Sequence, residues 1–150
     1  MSNYDIVRRY CQSFADRDFP AAEALRAPGW EVTWPQTGER VTSSEAMRNI
    51  IEAYPGGPWT GVERRLIGAE DALVVTPLGQ VVRIAGNGDT WVAEWVNRYP
   101  DGTDWFVVDV IQLQDGRVLR ESTYWAQVLD APPWRREWVE LEEAGSVGST

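Results

Sequence analysis

Asp109 is the residue whose type and setting most call for a chemical explanation. It stands in the run Val107-Val108-Asp109-Val110-Ile111, which reads as a strand, where an aspartate is poorly suited. Counting back from the Asp115-Gly116 turn pairs Gln114 with Arg117, Leu113 with Val118 and Asp109 with Ser122. Alternation then puts Asp109 on one face with Val107, Ile111 and Leu113, the apolar side of that strand. A carboxyl group among such neighbours is desolvated, so it is held protonated as a hydrogen-bond donor, or poised as an acid or base. The competing reading is a structural ion pair with Arg120, a diagonal neighbour on the same face. A bulge in the following strand would reverse the facing of residues 121–126, which leaves Thr123, Tyr124 and Trp125 open.

Two further residues could share that chemistry. Tyr10 lies on the apolar stripe of a first helix, so its hydroxyl enters the interior and must find a partner. Glu94, between Ala93 and Trp95, is an acid on a mostly apolar strand; it is read either as a proton acceptor or as an arginine-paired structural acid. Cys11 has no visible activating cation and reads as a small buried hydrophobe. Gly86-Asn87-Gly88 superficially resembles a phosphate loop, but a hairpin turn accounts for it.

Composition removes other chemistries. There is no histidine, which excludes Ser-His-Asp and Cys-His pairs, His-ligated metals and an imidazole shuttle. The carboxylates lack the dense spacing of a metal site, so neither metal nor cofactor is expected. All 14 cations are arginines against 23 acids, and the net charge of −9 argues against nucleic-acid or anionic-membrane partners. One cysteine cannot form an internal disulfide, which suits a reducing compartment. A soluble, cytoplasmic chain is expected. Nine tryptophans point to a core or cavity with heavy aromatic walls.

The elements that must position these groups follow from periodicity. Val7, Tyr10, Cys11 and Phe14 form one helical stripe behind a Ser2–Asp5 capping box. A second short helix starts at Asp18 and ends before Pro28-Gly29. Residues 30–34 read as a short strand, and a Thr42–Glu45 capping box opens a third helix with the stripe Ala46, Met47, Ile50, Ile51 and Tyr54. From there the pattern is β. Residues 62–67 and 73–76 are weak strands; 81–85, 91–99, 104–114 and 117–127 are stronger, joined by turns at Asn87-Gly88, Pro100-Asp101-Gly102 and Asp115-Gly116. The stretch 59–79 has no evident place. Pro132-Pro133 introduces a short amphipathic turn with Trp134, and residues 142–150 read as a polar, frayed tail. The order predicts a single α+β domain over 1–150, with helices packed on one face of a curved sheet.

This order resembles the nuclear transport factor 2-like superfamily, and within it the SnoaL-like group. The resemblance is carried by Asp16-Arg17-Asp18 after the first helix, by the run from Val108 through Asp115-Gly116 to Tyr124-Trp125, and by the segment Ala131 to Glu140. It implies a cystatin-like roll: a cone in which a curved antiparallel sheet wraps around three N-terminal helices and encloses an apolar pocket. By comparison with ketosteroid isomerase, Tyr10 and Asp109 fall on the oxyanion-hole tyrosine and protonated aspartate, while the general base falls at Trp34, which cannot take a proton. Against the limonene-type epoxide hydrolases, Glu94 matches one carboxylate, but Val92 and Thr123 stand where an arginine and an aspartate would be.

The expected function is therefore binding of a small apolar or aromatic ligand, with Asp109, Tyr10 and Glu94 as catalytic groups of a cofactor-independent isomerase or polyketide-type cyclase. The expected pocket walls are Trp30, Trp34, Tyr54, Val107 and Ile111, together with Arg120, Tyr124, Trp125 and Trp134. The alternative is a non-catalytic ligand-binding or dimerisation module of the same fold. A homodimer is expected, and on the alternative reading the outer sheet face, with Trp91 and Trp95, pairs with the second copy.

Overall fold

A computed structural model describes residues 1–68, 71–75, 81–85 and 88–142, with side chains described for 1–59, 61 and 88–142. Helix α1 (Asn3–Ala15) opens with the full Ser2–Asp5 capping box. Helix α2 (Phe19–Ala24) is capped by the Asp18 carboxylate and has Pro20 in its first turn. It stops earlier than the sequence suggests, because strand β1 (Arg26–Trp34) already begins at Arg26. A short strand β2 (Glu39–Val41) follows the tight turn after Trp34. Helix α3 (Ser44–Glu52) is capped by the Ser43 hydroxyl on the Ala46 amide, one residue later than the Thr42 capping box implies.

The remaining strands are β3 (Thr60–Gly68), β4 (Asp71–Val75), β5 (Val81–Ala85), β6 (Thr90–Arg98), β7 (Asp104–Gln114) and β8 (Arg117–Gln127). Six of them form one sheet in the order β2-β1-β8-β7-β6-β3, and β4 and β5 pair separately as a two-stranded ribbon. The stretch 59–79 thus supplies an edge strand of the main sheet and the first arm of the ribbon. Residues 86–87 of the proposed Asn87-Gly88 turn and 143–150 of the tail lie outside the described residues. All main-sheet pairs are antiparallel except β1–β8, which is parallel. A short 3-10 segment (Pro133–Trp138) follows the sheet.

The inner face of this sheet is covered by α1. Ile6, Val7, Tyr10 and Cys11 pack against Trp30, Val32, Trp91, Ala93, Ile111, Leu113 and Val118 in one buried cluster. Helix α3 contributes differently: none of its residues is fully buried, and its apolar stripe borders open space. Only the first part of the stripe, Ala46 and Met47, packs against that cluster; Met47, Ile50 and Ile51 border a cavity, and that is where the site lies.

Two irregularities set the facing of the residues around that cavity. The Asp115-Gly116 turn, with φ of 50° and 70°, starts the β7–β8 pairing as expected, with Gln114 opposite Arg117 and Leu113 opposite Val118. The next pair is Gln112 with Arg120, so Leu119 is an extra residue, a bulge. From there Asp109 faces Thr123, not Ser122, and Glu121, Thr123 and Trp125 turn inward. Opposite the bulge, the β1–β8 register jumps from Arg26–Val118 to Glu31–Arg120, so β1 loops out over the residues carrying Pro28, Gly29 and Trp30.

The register gives a direct stability test. Ile111 is fully buried while its neighbour Val110 is half-buried on the outer face. Ile111→Ala is expected to lower the unfolding free energy by about 2–5 kcal/mol, and Val110→Ala by about 1 kcal/mol or less. Denaturant melts of the two variants check this; equal losses would contradict the register.

Candidate active site

A cavity of about 740 Å³ opens between α1, α3 and the inner sheet face, the size of a ligand-binding pocket. Its walls are aromatic. Trp34 meets Trp125 edge-on at 5.6 Å, and Tyr54, Trp59 and Tyr99 form a ring cluster, with Tyr54 stacked on Tyr99 at 5.5 Å. Phe14, Phe19, Trp95 and Trp105 complete them. Arg17, held in a left-handed conformation after α1, reaches across to donate to the Trp59 carbonyl. Burial pushes the Tyr99 hydroxyl above its ordinary range, the Asn97 amide that donates to it at 3.2 Å notwithstanding.

The polar part of the cavity is carried by the sheet. Asp109 is 3% exposed and Glu121 is 6% exposed; both line the cavity, and their carboxyl groups are hydrogen-bonded to each other. Burial first, and then the Glu121 charge and that hydrogen bond, push Asp109 well above the ordinary carboxylate range. A shift in this direction favours the neutral form of Asp109, which can donate to the neighbouring Glu121. The Thr123 hydroxyl donates to Asp109 Oδ1 at 3.1 Å, which opposes the shift without reversing it. On its other side Glu121 Oε2 accepts from the Tyr10 hydroxyl at 2.8 Å and from Trp30 Nε1 at 2.7 Å. Behind these, Arg26 donates from Nε to the Tyr10 oxygen at 3.0 Å and from Nη1 to Ser44 Oγ at 2.8 Å, with its guanidinium 3.7 Å above the Trp30 ring. Burial, then the Glu121 charge, keep the Tyr10 phenol well above its ordinary range, so it stays a donor.

The residues singled out from the sequence fall into three groups. Asp109, Trp34, Tyr54, Val107 and Trp125 line the cavity. Tyr10 and Trp30 are buried behind it, joined to Asp109 through Glu121, so Tyr10 and Asp109 do not form a shared oxyanion hole facing the ligand. The others require correction. Glu94 pairs with Val108 and lies on the outer sheet face, because Ala93 and Trp95 on either side of it point inward; it cannot take a proton inside the cavity. Arg120 is turned outward by the Leu119 bulge and lies 3.6 Å from Glu31, so it is no partner for Asp109. Tyr124 is 44% exposed on that same outer face, and Ile111 is sealed in the core beneath α1. Trp134 is 72% exposed on the 3-10 segment and contributes no wall. Trp91 is buried and Trp95 lines the cavity, so neither is available for an outer-face contact.

Glu121 and Arg26 went unnoticed in the sequence. The available signal was the pair Val118-Leu119, two consecutive apolar residues that break a period of two and mark a bulge. Among the described residues no group of three or more potential ligands could hold a metal ion, and no helix is long and apolar enough to cross a membrane.

Because Asp109 has a raised value when folded, its contribution to stability is complete below about pH 3.9, its ordinary unfolded range. That contribution is lost as pH rises through the folded value. Asp109→Asn keeps a neutral donor at every pH. Its melting temperature is expected to gain on the parent's as pH goes from about 5 to about 8; parallel melting curves would contradict the raised value.

No family model and no curated protein matches the chain, but solved structures do. It is similar to an NTF-2-like protein of unknown function from Burkholderia xenovorans LB400, at 23% identity over 93% of this chain and 94% of that one, with a TM-score of 0.71. It is similar to a Kribbella flavida DSM 17836 protein provisionally named a ketosteroid isomerase, at 22% identity over 97% and 95%, with a TM-score of 0.70. A third likeness is to TerC co-crystallised with polyporic acid, at 16% identity over 81% and 88%, with a TM-score of 0.59. Identities this low speak to architecture alone, and on architecture they agree: the chain has the NTF2-like fold.

Proposed function

We propose that this protein binds a ring-bearing, largely apolar small molecule in the aromatic cavity and acts on it by proton transfer at Asp109 and Glu121. The reaction is an isomerisation or cyclisation that needs no cofactor. The observation that carries this reading is the contact of two buried carboxyl groups, one neutral, at the wall of a ligand-sized cavity. Such a pair can deliver a proton to one atom of a ligand and remove a proton from another. With a ring ketone, Asp109 would donate to the carbonyl oxygen as Glu121 takes the α-hydrogen. The product is a neutral enol, and the pair keeps a single negative charge throughout. Where the ketone is β,γ-unsaturated, returning the proton from Glu121 to the γ-carbon of the dienol, as Asp109 takes back the hydroxyl proton, completes an isomerisation and restores both groups. The likeness to TerC, co-crystallised with polyporic acid, supports a small-molecule ligand.

Deuterium exchange tests this without knowledge of the physiological substrate. With 2-tetralone in D2O, the parent protein is expected to accelerate α-exchange over buffer, followed by proton NMR. Glu121→Gln and Asp109→Asn should each lose about 10²-fold or more of that acceleration. Parent-like exchange in both folded variants would contradict the reading.

We also infer a homodimer through the outer sheet face, with residues other than those first expected. Val92, Val96, Val108 and Val110 line up there, half-buried, beside the exposed Tyr124, an apolar surface of the kind that marks an interface. Light scattering on the eluted parent should report a dimer and Val108→Glu a monomer; a monomeric parent would contradict it.

A further inference from the structure

Arg26 is a buried cation, 7% exposed, in a place where nothing about pocket shape demands one. It does not line the large cavity, and its guanidinium lies 5.7 Å from the ring centres of Tyr10 and Phe14. What its geometry does is specific. Nε is aimed at the lone pair of the Tyr10 oxygen, which forces the Tyr10 proton to point the other way, at Glu121 Oε2. Trp30 Nε1 reaches the same oxygen, and the Arg26 guanidinium lies flat on the Trp30 ring. Ser44, at the start of α3, holds the far end of the guanidinium. Both donors to Glu121 are thus set by one cation, which is also the counter-charge that a buried carboxylate needs.

We propose that Arg26 is a positioning residue for the proton-transfer pair: through the Tyr10 hydroxyl and the Trp30 ring it fixes Glu121 as the proton acceptor and leaves Asp109 as the donor. This rests on reading Asp109 and Glu121 as a pair that shares one proton. The two carboxyl groups are chemically almost alike, and without an asymmetry behind them either could hold the proton. The groups that face Glu121 are Tyr10 from α1, Trp30 from β1 and Asp109 from β7, with Arg26 of β1 bonded to Tyr10 behind it and Thr123 bonded to Asp109. The Cys11 thiol lines the same cavity. Of these, Arg26 is the cation.

The test is a titration of the whole protein carrying ¹³C at its Asp and Glu side-chain carboxyls, read by NMR. In Tyr10→Phe, which removes one oxygen from a buried ring, the acid-side step of the pair is expected to move up by about one pH unit, a tenfold gain in proton affinity. The sign follows from removing a donor to the ionised form. Arg26→Gln should move the step the same way, and Arg26→Lys, which keeps a charged donor, should return it towards the parent. A merely structural arginine would lower the melting temperature and leave both steps in place. If the steps of folded Tyr10→Phe and Arg26→Gln coincide with the parent's, the inference is overturned; should Arg26→Gln fail to fold, Tyr10→Phe alone decides. Failure of the underlying pair looks different: Asp109 in the parent would then titrate in the ordinary carboxylate range.

Discussion

Two carboxyl groups buried in contact constrain everything around them. Ionising both is unfavourable where so little of either meets water, because like charges at hydrogen-bond distance repel by several kcal/mol or more in a medium of low polarity. A single shared proton resolves this for Asp109 and Glu121, but the remaining lone pairs still need donors. Thr123, Tyr10 and Trp30 supply them, and Arg26 orients two of the three. Residues from α1, β1, β7 and β8 therefore meet at one point. The outcome is a polar knot, built into the boundary between a sealed core and an open cavity.

The fold makes room for that knot by two departures from regularity. The Leu119 bulge rotates Glu121 inward beside Thr123 and Trp125, and the looped stretch of β1 opposite it carries Trp30 and Arg26 to the same face. Without the bulge a strict alternation would have put Ser122 opposite Asp109 and Arg120 diagonal to it on the same face, within reach of an ordinary ion pair. The cavity itself arises because α3 packs on the core only through Ala46 and Met47 and presents the rest of its apolar stripe, Ile50 and Ile51, to open space. Aromatic rings from β1, β6, β7 and β8 face it across the gap. Such walls hold flat, apolar ligands while leaving the polar knot as the place where a functional group is recognised.

Much of this was legible in the sequence, and the rest was hidden for a reason. Stripe periodicity and caps located α1 and α3, and the Asp115-Gly116 turn fixed the start of the β7–β8 pairing. Asp109 stood out because its neighbours are apolar, and its burial follows from alternation within a single strand, which no bulge interrupts. Glu121 did not stand out, because its facing depends on an extra residue two positions earlier, and a single added residue reverses every side chain beyond it. Arg26 was hidden in a segment where the end of α2 and the start of β1 overlap, and its role depends on contacts remote in sequence. Glu94 misled for the opposite reason: its strand is apolar on both faces, so alternation alone could not say which face borders the cavity.

The most direct measurement is neutron diffraction from crystals of the protein grown in D2O near neutral pH. The account predicts one deuterium on Asp109, directed at Glu121, with the Tyr10 deuterium directed at Glu121 Oε2. Two bare carboxylates separated by water, or an Asp109 paired with a guanidinium, would contradict it.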